Sequence, residues 1–453
     1  MGKRVKMTLH IKKRLLIQTQ LSNYTPEGRF VLEADSGYQM CIGRVREMLK
    51  LNPDLEIHIM GPMTRESDEQ YGTGQLVTDP WDINPDLFKT YKDRLKYIPT
   101  YIEANALATR YNFDVNVMDW ALGLKTHKSN ESLRYDAVYI NDPMHLRNFK
   151  ALFLLRGGYQ PKFYVHSHFV DVPSCPKFPT EASLWHGQLE AAIKADYNFW
   201  QCSSALVEFE REARKTLQDK VVDEILAKSS PWDDGYSSTE MQVINENNVR
   251  FDVGQFAKWK SEGKTILFVP NRIGGKGRSS DYTNCGKFMF EILPEIRKQR
   301  QDFVIIAGNP SQKISNKELI EWCGKDGYVS LVPQTFNRDE YKVVATWSDI
   351  VVGLYNFDTF GGTASRECID LGCMPLWIDC NEYASLAKEA GVTHWLAQKD
   401  FSDIVRTSVE MIDSIKQNPK LHAEYVSSLK KIVRKRCSYE QTTPEAMKQM
   451  ELL

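Results

Sequence analysis

The sequence predicts an α/β protein built from two doubly wound sheets, and three observations carry that prediction. The chain has 453 residues, too many for one compact core, so two or three domains are expected. Short apolar runs closed by Gly, Asn, Pro or His alternate with helix-length segments, the pattern of βα units. These units fall into two separate series, divided near 245–262, where Asn245, Asn247 and Asn248 interrupt the pattern. Two sheets of this kind, facing each other, would place both sets of strand-end loops in one cleft.

Taken in order, Lys13 to Gln20 reads as the first strand and Gly37 to Leu49 as a helix, with Met40, Cys41, Val45, Met48 and Leu49 at helical spacing. Asn52-Pro53-Asp54 breaks that helix, and Leu55 to Met60 is the second strand. Residues 63–95 read as an insertion or long loop, followed by helices over Tyr97 to Arg110 and Val115 to Leu124. Asp136–Ile140, Lys162–His166 and Tyr197–Gln201 are strands, with helices over Glu181–Ala195 and Leu206–Leu217. Ser229 to Ser238 is the most loop-like stretch. The second series has strands at Thr265–Val269, Phe303–Ala307, Tyr328–Val332, Asp349–Leu354 and Met374–Ile378, and helices at Phe288–Arg297 and Ala364–Leu371. The expected domains are residues 1–250, residues 251–425 and a C-terminal helical segment, 426–453, that crosses back to the first domain.

Composition narrows the function classes. Apolar residues make up 42% and charged residues 26%, ordinary for a soluble globular protein. A formal net charge of −1 excludes a bulk polycation, so contact with nucleic acid would need a local basic face. The nine cysteines are scattered singly without a CxxC pair, which reads as reduced thiols in a cytosol-like compartment. Cys368, Cys373 and Cys380 lack zinc-ligand spacing and read as core thiols. Neither a signal peptide nor a transmembrane span is legible.

The stretch that carries most chemistry is Asp358 to Trp377. It joins a strand to Phe360-Gly361-Gly362, then Thr363, then a helix that stops at Gly372, then the next strand. Free N–H groups and the positive helix end at such a loop favour an anion. Glu367, on the first turns, suits sugar hydroxyls better than phosphate. Any βα unit needs glycines at its turns, so further parts are required. Pro270 to Arg278 supplies them: Arg272, Gly274, Gly275, Lys276 and Gly277 form a glycine-rich cationic turn after a strand, suited to a diphosphate although it could be a plain exposed turn. It lacks the GxxxxGK[ST] pattern. His166-Ser167-His168 closes a strand in the first series, where an acid, a base or an acceptor-orienting group belongs, although two structural histidines fit equally. Asp171 is a candidate carboxylate, Asp142 a weaker one, and Ser203-Ser204 reads as a helix N-cap.

These parts resemble the GT-B nucleotide-sugar glycosyltransferases, especially the retaining type with an E-x7-E-like motif. The resemblance spans nearly the whole chain. It implies that Arg272 and Lys276 hold the donor diphosphate. Phe360, Gly361, Gly362 and Thr363 would form the donor loop, and Glu367 would bind the ribose. Gly308-Asn309 and Val332-Pro333 would form the base pocket. One departure is visible: the first acidic position, eight residues before Glu367, is Thr359, with Asp358 one residue further out. Within that family Tyr164-Val165-His166-Ser167-His168, Lys194-Ala195-Asp196 and the Glu367–Trp377 run are similar to bacteriophage DNA α-glucosyltransferases. That implies a UDP-sugar donor, double-stranded DNA with hydroxymethylated pyrimidines as acceptor, retention of configuration and a cytoplasmic location, that of the host if phage-encoded. No DxD site is apparent and no metal is expected. His166 and His168 would meet the acceptor, while Arg272 and Lys276 stabilise the leaving group. The competing readings are the same fold acting on a glycan, lipid, protein or small molecule, and a non-catalytic nucleotide-sugar or nucleic-acid binding module. Lys12-Lys13-Arg14 and the run from Lys430 to Arg436 are the local basic segments, the latter expected to be a solvated helix face.

Overall fold

A computed structural model describes residues 13–19, 21, 32, 35–62, 64–66, 79–101, 115–168, 182–270, 288–308, 329–332, 336–354 and 362–453. The chain divides into two compact units, Met1–Trp232 with Thr442–Leu453, and Asp233–Gln441. Both are Rossmann-like: each holds one all-parallel sheet clothed by helices, the doubly wound architecture that the alternating pattern predicts.

In the first unit the sheet order is β3-β2-β1-β4-β5-β6-β7. The strands are β1 Lys13–Gln18, β2 Leu55–Pro62, β3 Leu95–Tyr101, β4 Ala137–Ile140, β5 Lys162–Ser167, β6 Tyr197–Trp200 and β7 Ser229–Pro231. The order in which successive strands are added reverses at the β1/β4 pair, where Leu15 lies beside Ala137 and Gln18 beside Ile140 in parallel. The helix Ser36–Leu51 joins β1 to β2. Asp35 caps it, accepting from the Tyr38 N–H at 2.9 Å, and Cys41, Val45, Met48 and Leu49 enter the core as their spacing predicts. The last residues of the chain complete the same core. Met447, Met450 and Leu452 are buried, Tyr164 Oη donates to the Met450 carbonyl at 2.9 Å, and Asn52 Nδ2 donates to the Leu452 carbonyl at 2.6 Å.

Four sequence expectations change here. The helix expected from Tyr97 is instead β3, the edge strand, with Ile57 beside Leu95 and Met60 beside Ile98. Pro99 explains the outcome: it would break a helix interior but is tolerated on a strand with an open edge. Residues 102–110, the rest of that expected helix, lie outside the described residues. The expected loop 63–95 contains two short helices, Pro80–Ile83 and Pro85–Thr90, each opened by a proline. Gly123, with φ +60°, splits the Val115–Leu124 helix into Val115–Leu122 and Leu124–Ser129. Finally, the loop-like Ser229–Ser238 holds β7 and the passage into the second unit.

In the second unit the order is β10-β9-β8-β11-β12-β13. The strands are β8 Thr265–Val269, β9 Phe303–Gly308, β10 Val329–Val332, β11 Ile350–Gly353, β12 Met374–Ile378 and β13 Leu396–Ala397. The reversal falls between β8 and β11, which pair through Ile350 beside Leu267. The unit begins at Asp233, ahead of the asparagines taken as the boundary. Asn245 caps a 3₁₀ turn, Glu246–Asn248, and Asn248 Nδ2 donates to Asp339 at 2.8 Å, so that stretch is built into the second unit. The unit's two ends are laced together. The Tyr236 N–H donates to the Cys437 carbonyl at 3.2 Å, and the Glu440 carboxylate takes the N–H of Thr239 at 3.0 Å and the Ser237 hydroxyl at 2.8 Å.

Candidate functional site

In the second unit, ligands of such a sheet belong at the carboxyl ends of the strands beside the β8/β11 reversal. The cationic turn with Arg272, Gly274, Gly275 and Lys276 follows β8 in sequence but lies outside the described residues, as do Asn309, Asp358, Phe360 and Gly361. Gly308 and Val332 end β9 and β10 as expected of strand-end positions. Gly362 and Thr363 open the helix Thr363–Leu371, which ends at Gly372 in the left-handed conformation, φ +114°.

The N-cap of that helix is Gly362, which has no side chain to cap it. The N–H of Gly362 itself is already used: it donates to Tyr383 Oη at 2.6 Å. Tyr383 stacks on Trp377, with ring centroids 4.5 Å apart, and Trp377 Nε1 donates to Ser365 Oγ at 3.2 Å. The start of the helix is therefore fastened, at Gly362 and Ser365, by two buried aromatics on β12 and the helix after it.

Glu367 is 8% exposed and its partner is one the sequence reading missed. Arg338, the first residue of the helix Arg338–Trp347, donates from Nη2 to Oε1 at 2.7 Å and from Nη1 to Oε2 at 3.1 Å. Its Nε reaches Glu240 Oε1 at 3.2 Å. The helix that presents Arg338 is fixed by a capping box between Asn337 and Glu340. Glu340, fully buried, also takes the Arg250 guanidinium at 2.6 and 2.5 Å. The Asn337…Glu340 spacing was legible as a helix start; nothing local announces a pairing across 29 positions.

In the first unit, His166 and His168 both lie at the end of β5 and both are buried. Arg44, from the helix Ser36–Leu51, places Nη1 2.9 Å from His166 Nδ1 and 2.8 Å from Tyr139 Oη, and its guanidinium lies 4.2 Å from the centre of the Trp232 ring. A guanidinium only donates, so His166 Nδ1 accepts and its proton sits on Nε2, which donates to the Trp232 carbonyl at 3.2 Å. Burial and the Arg44 charge hold His166 far below the usual histidine range, hence neutral. Both its ring nitrogens are engaged within the first unit. His168 is different. Asn141 Nδ2 donates to the Gln18 carbonyl at 2.6 Å, so Asn141 Oδ1 accepts from His168 Nε2 at 3.0 Å. His168 Nε2 therefore carries a proton. Asp171 lies outside the described residues. Asp142 is a cap, accepting from the Met144 N–H at 3.1 Å. Ser203 and Ser204 are the first two helical residues behind Cys202 rather than the cap.

The basic run on the helix Pro419–Cys437 is not a simple solvated face. Arg434 pairs with the buried Asp370, and Arg436 with the buried Glu382 and with Glu389. Among the described residues no helix is long and apolar enough to cross a membrane.

No protein-family model matches the chain, and no curated protein matches it. Its fold, however, is shared with solved structures over nearly its whole length. The Anabaena protein HepE in complex with UDP-glucose aligns at 9% identity with a TM-score of 0.59, covering 97% of this chain and 100% of that one. A glycosyltransferase from Rickettsia africae aligns at 12% identity and TM-score 0.61, covering 97% and 98%. An E. coli trehalose-6-phosphate protein bound with UDP-2-fluoro glucose aligns at 11% and 0.58, covering 97% and 99%. At these identities the likeness is one of fold: two Rossmann-like units of the GT-B kind.

Proposed function

We propose that this chain is a glycosyltransferase that moves a sugar from a UDP-sugar to an acceptor hydroxyl. One observation carries the reading: a buried carboxylate, Glu367, stands just inside an uncapped helix N-terminus at the reversal point of a Rossmann-like sheet. The fold neighbours crystallised with UDP, UDP-glucose or a fluorinated analogue support it.

In this mechanism Glu367 accepts hydrogen bonds from the ribose hydroxyls. The N–H groups of Thr363 and its successors, with Arg272 and Lys276, hold the diphosphate and stabilise the charge that grows on it. The bond from the sugar C1 to the β-phosphate oxygen breaks, and C1 bonds the acceptor oxygen from the same face. The acceptor proton passes to the departing phosphate, and the same-face attack retains the configuration. His168 Nδ1 orients the acceptor hydroxyl, and His166 is the neutral support behind it. The first acceptor to test is a hydroxymethylated pyrimidine in double-stranded DNA, on the resemblance of the His166–His168 segment and the Glu367–Trp377 run to phage DNA α-glucosyltransferases.

The test is mass analysis of nucleosides after incubating the protein with hydroxymethylated DNA and a set of nucleotide sugars. A nucleoside heavier by one sugar establishes donor and acceptor together. UDP release without a heavier nucleoside keeps the transferase and removes DNA as acceptor. Neither product with any donor leaves a binding module.

A further inference from the structure

We propose that the first unit carries a docking surface for an anionic lipid bilayer, built from Leu154 and Leu155 on a basic ground. The proposal goes beyond the transferase reading and does not depend on it.

The apolar part is two adjacent leucines on a fixed base. The helix Leu146–Leu152 runs back toward the amino end of β5 and closes in a π-helical turn, Phe153–Gly157. Phe153 is fully buried there, edge-on to Tyr135, Tyr159 and Phe163. The next two residues stand in water instead: Leu154 is 56% exposed and Leu155 72%, the most exposed large apolar side chain among the described residues. The backbone behind them is tied down. The Gly158 N–H donates to the Leu154 carbonyl at 3.2 Å, the Tyr159 N–H to the Phe153 carbonyl at 3.4 Å, and Gly158 takes φ +70°. Two neighbouring leucines held outward in this way lose free energy to water until something covers them.

The ground around them is basic. The helix Leu124–Ser129 packs beside the turn, where Lys128 Nζ donates to the Leu155 carbonyl at 3.4 Å. That helix and the segment Leu146–Gly157 carry Lys125, Lys128, Arg147, Lys150 and Arg156 and no carboxylate, in a chain of net charge −1. Lys128 and Lys150 give hydrogen bonds to the carbonyls of Leu155 and Lys194, which leave the ammonium charges unbalanced. Asp119 faces two of the cations, 3.8 Å from Lys125 Nζ and 3.9 Å from Arg156 Nε, but is itself largely covered. Glu131 lies at the edge, beside Arg134 at 3.4 Å. Trp120, next to Asp119 and half exposed, adds an aromatic of the kind that settles at membrane interfaces.

An anionic bilayer answers both parts at once. The leucines enter the boundary between headgroups and acyl chains while the cations stay among the phosphates. A second copy of the chain fits worse, because a two-fold contact would lay these cations against themselves. Duplex DNA would answer the charge but press the leucines against its phosphates. Position agrees as well. The turn precedes β5, whereas His166 and His168 lie at the far end of that strand, so docking here leaves the strand-end loops open.

The experiment is co-sedimentation of the full chain with vesicles of phosphatidylcholine alone and of equal parts phosphatidylcholine and phosphatidylglycerol. Wild type should bind the anionic vesicles on the order of thirtyfold more tightly than the neutral ones, and lose most of that preference in high salt. Leu154→Ser with Leu155→Ser should weaken anionic binding on the order of tenfold. Lys128→Gln with Arg147→Gln should cut the preference for anionic vesicles on the order of tenfold. All four side chains are at the surface, so both double variants should melt within about 2 °C of wild type. Wild type that stays in the supernatant with anionic vesicles overturns the proposal. So does vesicle binding that the leucine pair does not affect, since the patch is then not the contact. A gel shift with duplex DNA that both double variants abolish, without vesicle binding, makes it a nucleic-acid surface instead. A dimer in light scattering that the leucine pair dissociates, again without vesicle binding, makes it a contact between copies.

Discussion

Replacing Gly353 by alanine should disturb the start of the helix Thr363–Leu371. Gly353 ends β11 beside Trp377 of β12, and a Cβ there would stand 2.9 Å from Trp377 Cδ1 and Nε1 and 3.2 Å from Ser365 Cβ. Ordinary contact is about 3.6 Å, so the indole must move by roughly 0.7 Å. Trp377 is 1% exposed and has little room, since Tyr383 stacks on it at 4.5 Å. Overpacking of this kind costs about 1–3 kcal/mol. For a unit of this size that lowers the melting temperature by about 2–10 °C. The displacement should also travel, because Tyr383 Oη holds the Gly362 N–H at 2.6 Å, at the helix start proposed to bind the donor. The assay pairs a thermal melt with a UDP titration, and UDP affinity should fall by about three- to tenfold. A Gly353→Ala protein that melts within about 1 °C of wild type and binds UDP equally well would refute the idea that a rigid aromatic stack supports this helix start.

Three further outcomes are expected. Arg250→Met should cost about 3–5 kcal/mol in urea unfolding, because it strands the fully buried Glu340 carboxylate, whereas Glu340→Gln, which removes the charge itself, should cost about 1–2 kcal/mol. His168→Ala should lower kcat by on the order of a hundredfold, while His166→Gln should chiefly lower the melting temperature, which steady-state rates and melts together would separate. Stability should also fall in mild acid. Burial first, then the charge of Arg14, holds His127 down at about 4, so the folded state refuses a proton that the unfolded chain accepts below about 6.5. That contribution is complete above pH 6.5 and is lost as pH falls toward 4, by about 3 kcal/mol as an upper bound. Urea titrations of wild type and His127→Gln across that window should show the slope flattened in the variant.

The elements that were legible are those whose own residues decide them. β8 was read residue for residue from Thr265–Val269, because a five-residue apolar run buried on both faces has few other readings. The helix Thr363–Leu371 declared its end through Gly372. β3 was misread because its apolar positions run on into a helix-like pattern, and whether Pro99 is tolerated depends on a neighbour strand 35 or more residues away. β7, three residues with a terminal proline, is specified almost wholly by β6 beside it. The site divides the same way. Glu367 follows from a strand, a glycine loop and a helix in succession. Arg338, Arg44 and Tyr383 do not, because each acts on a partner brought near only by the finished sheet.

The return of Thr442–Leu453 to the first unit bears on the order in which the protein is made. The unit whose translation starts first cannot close its core until the second has left the ribosome, since Met447, Met450 and Leu452 fill places among side chains synthesised hundreds of residues earlier. Until then the apolar surface those three residues cover is open to water. Transiently exposed apolar surface of this kind is what favours misassembly before a chain is complete. A ribosome stalled within the second unit would leave a chain whose earliest part is also its least finished.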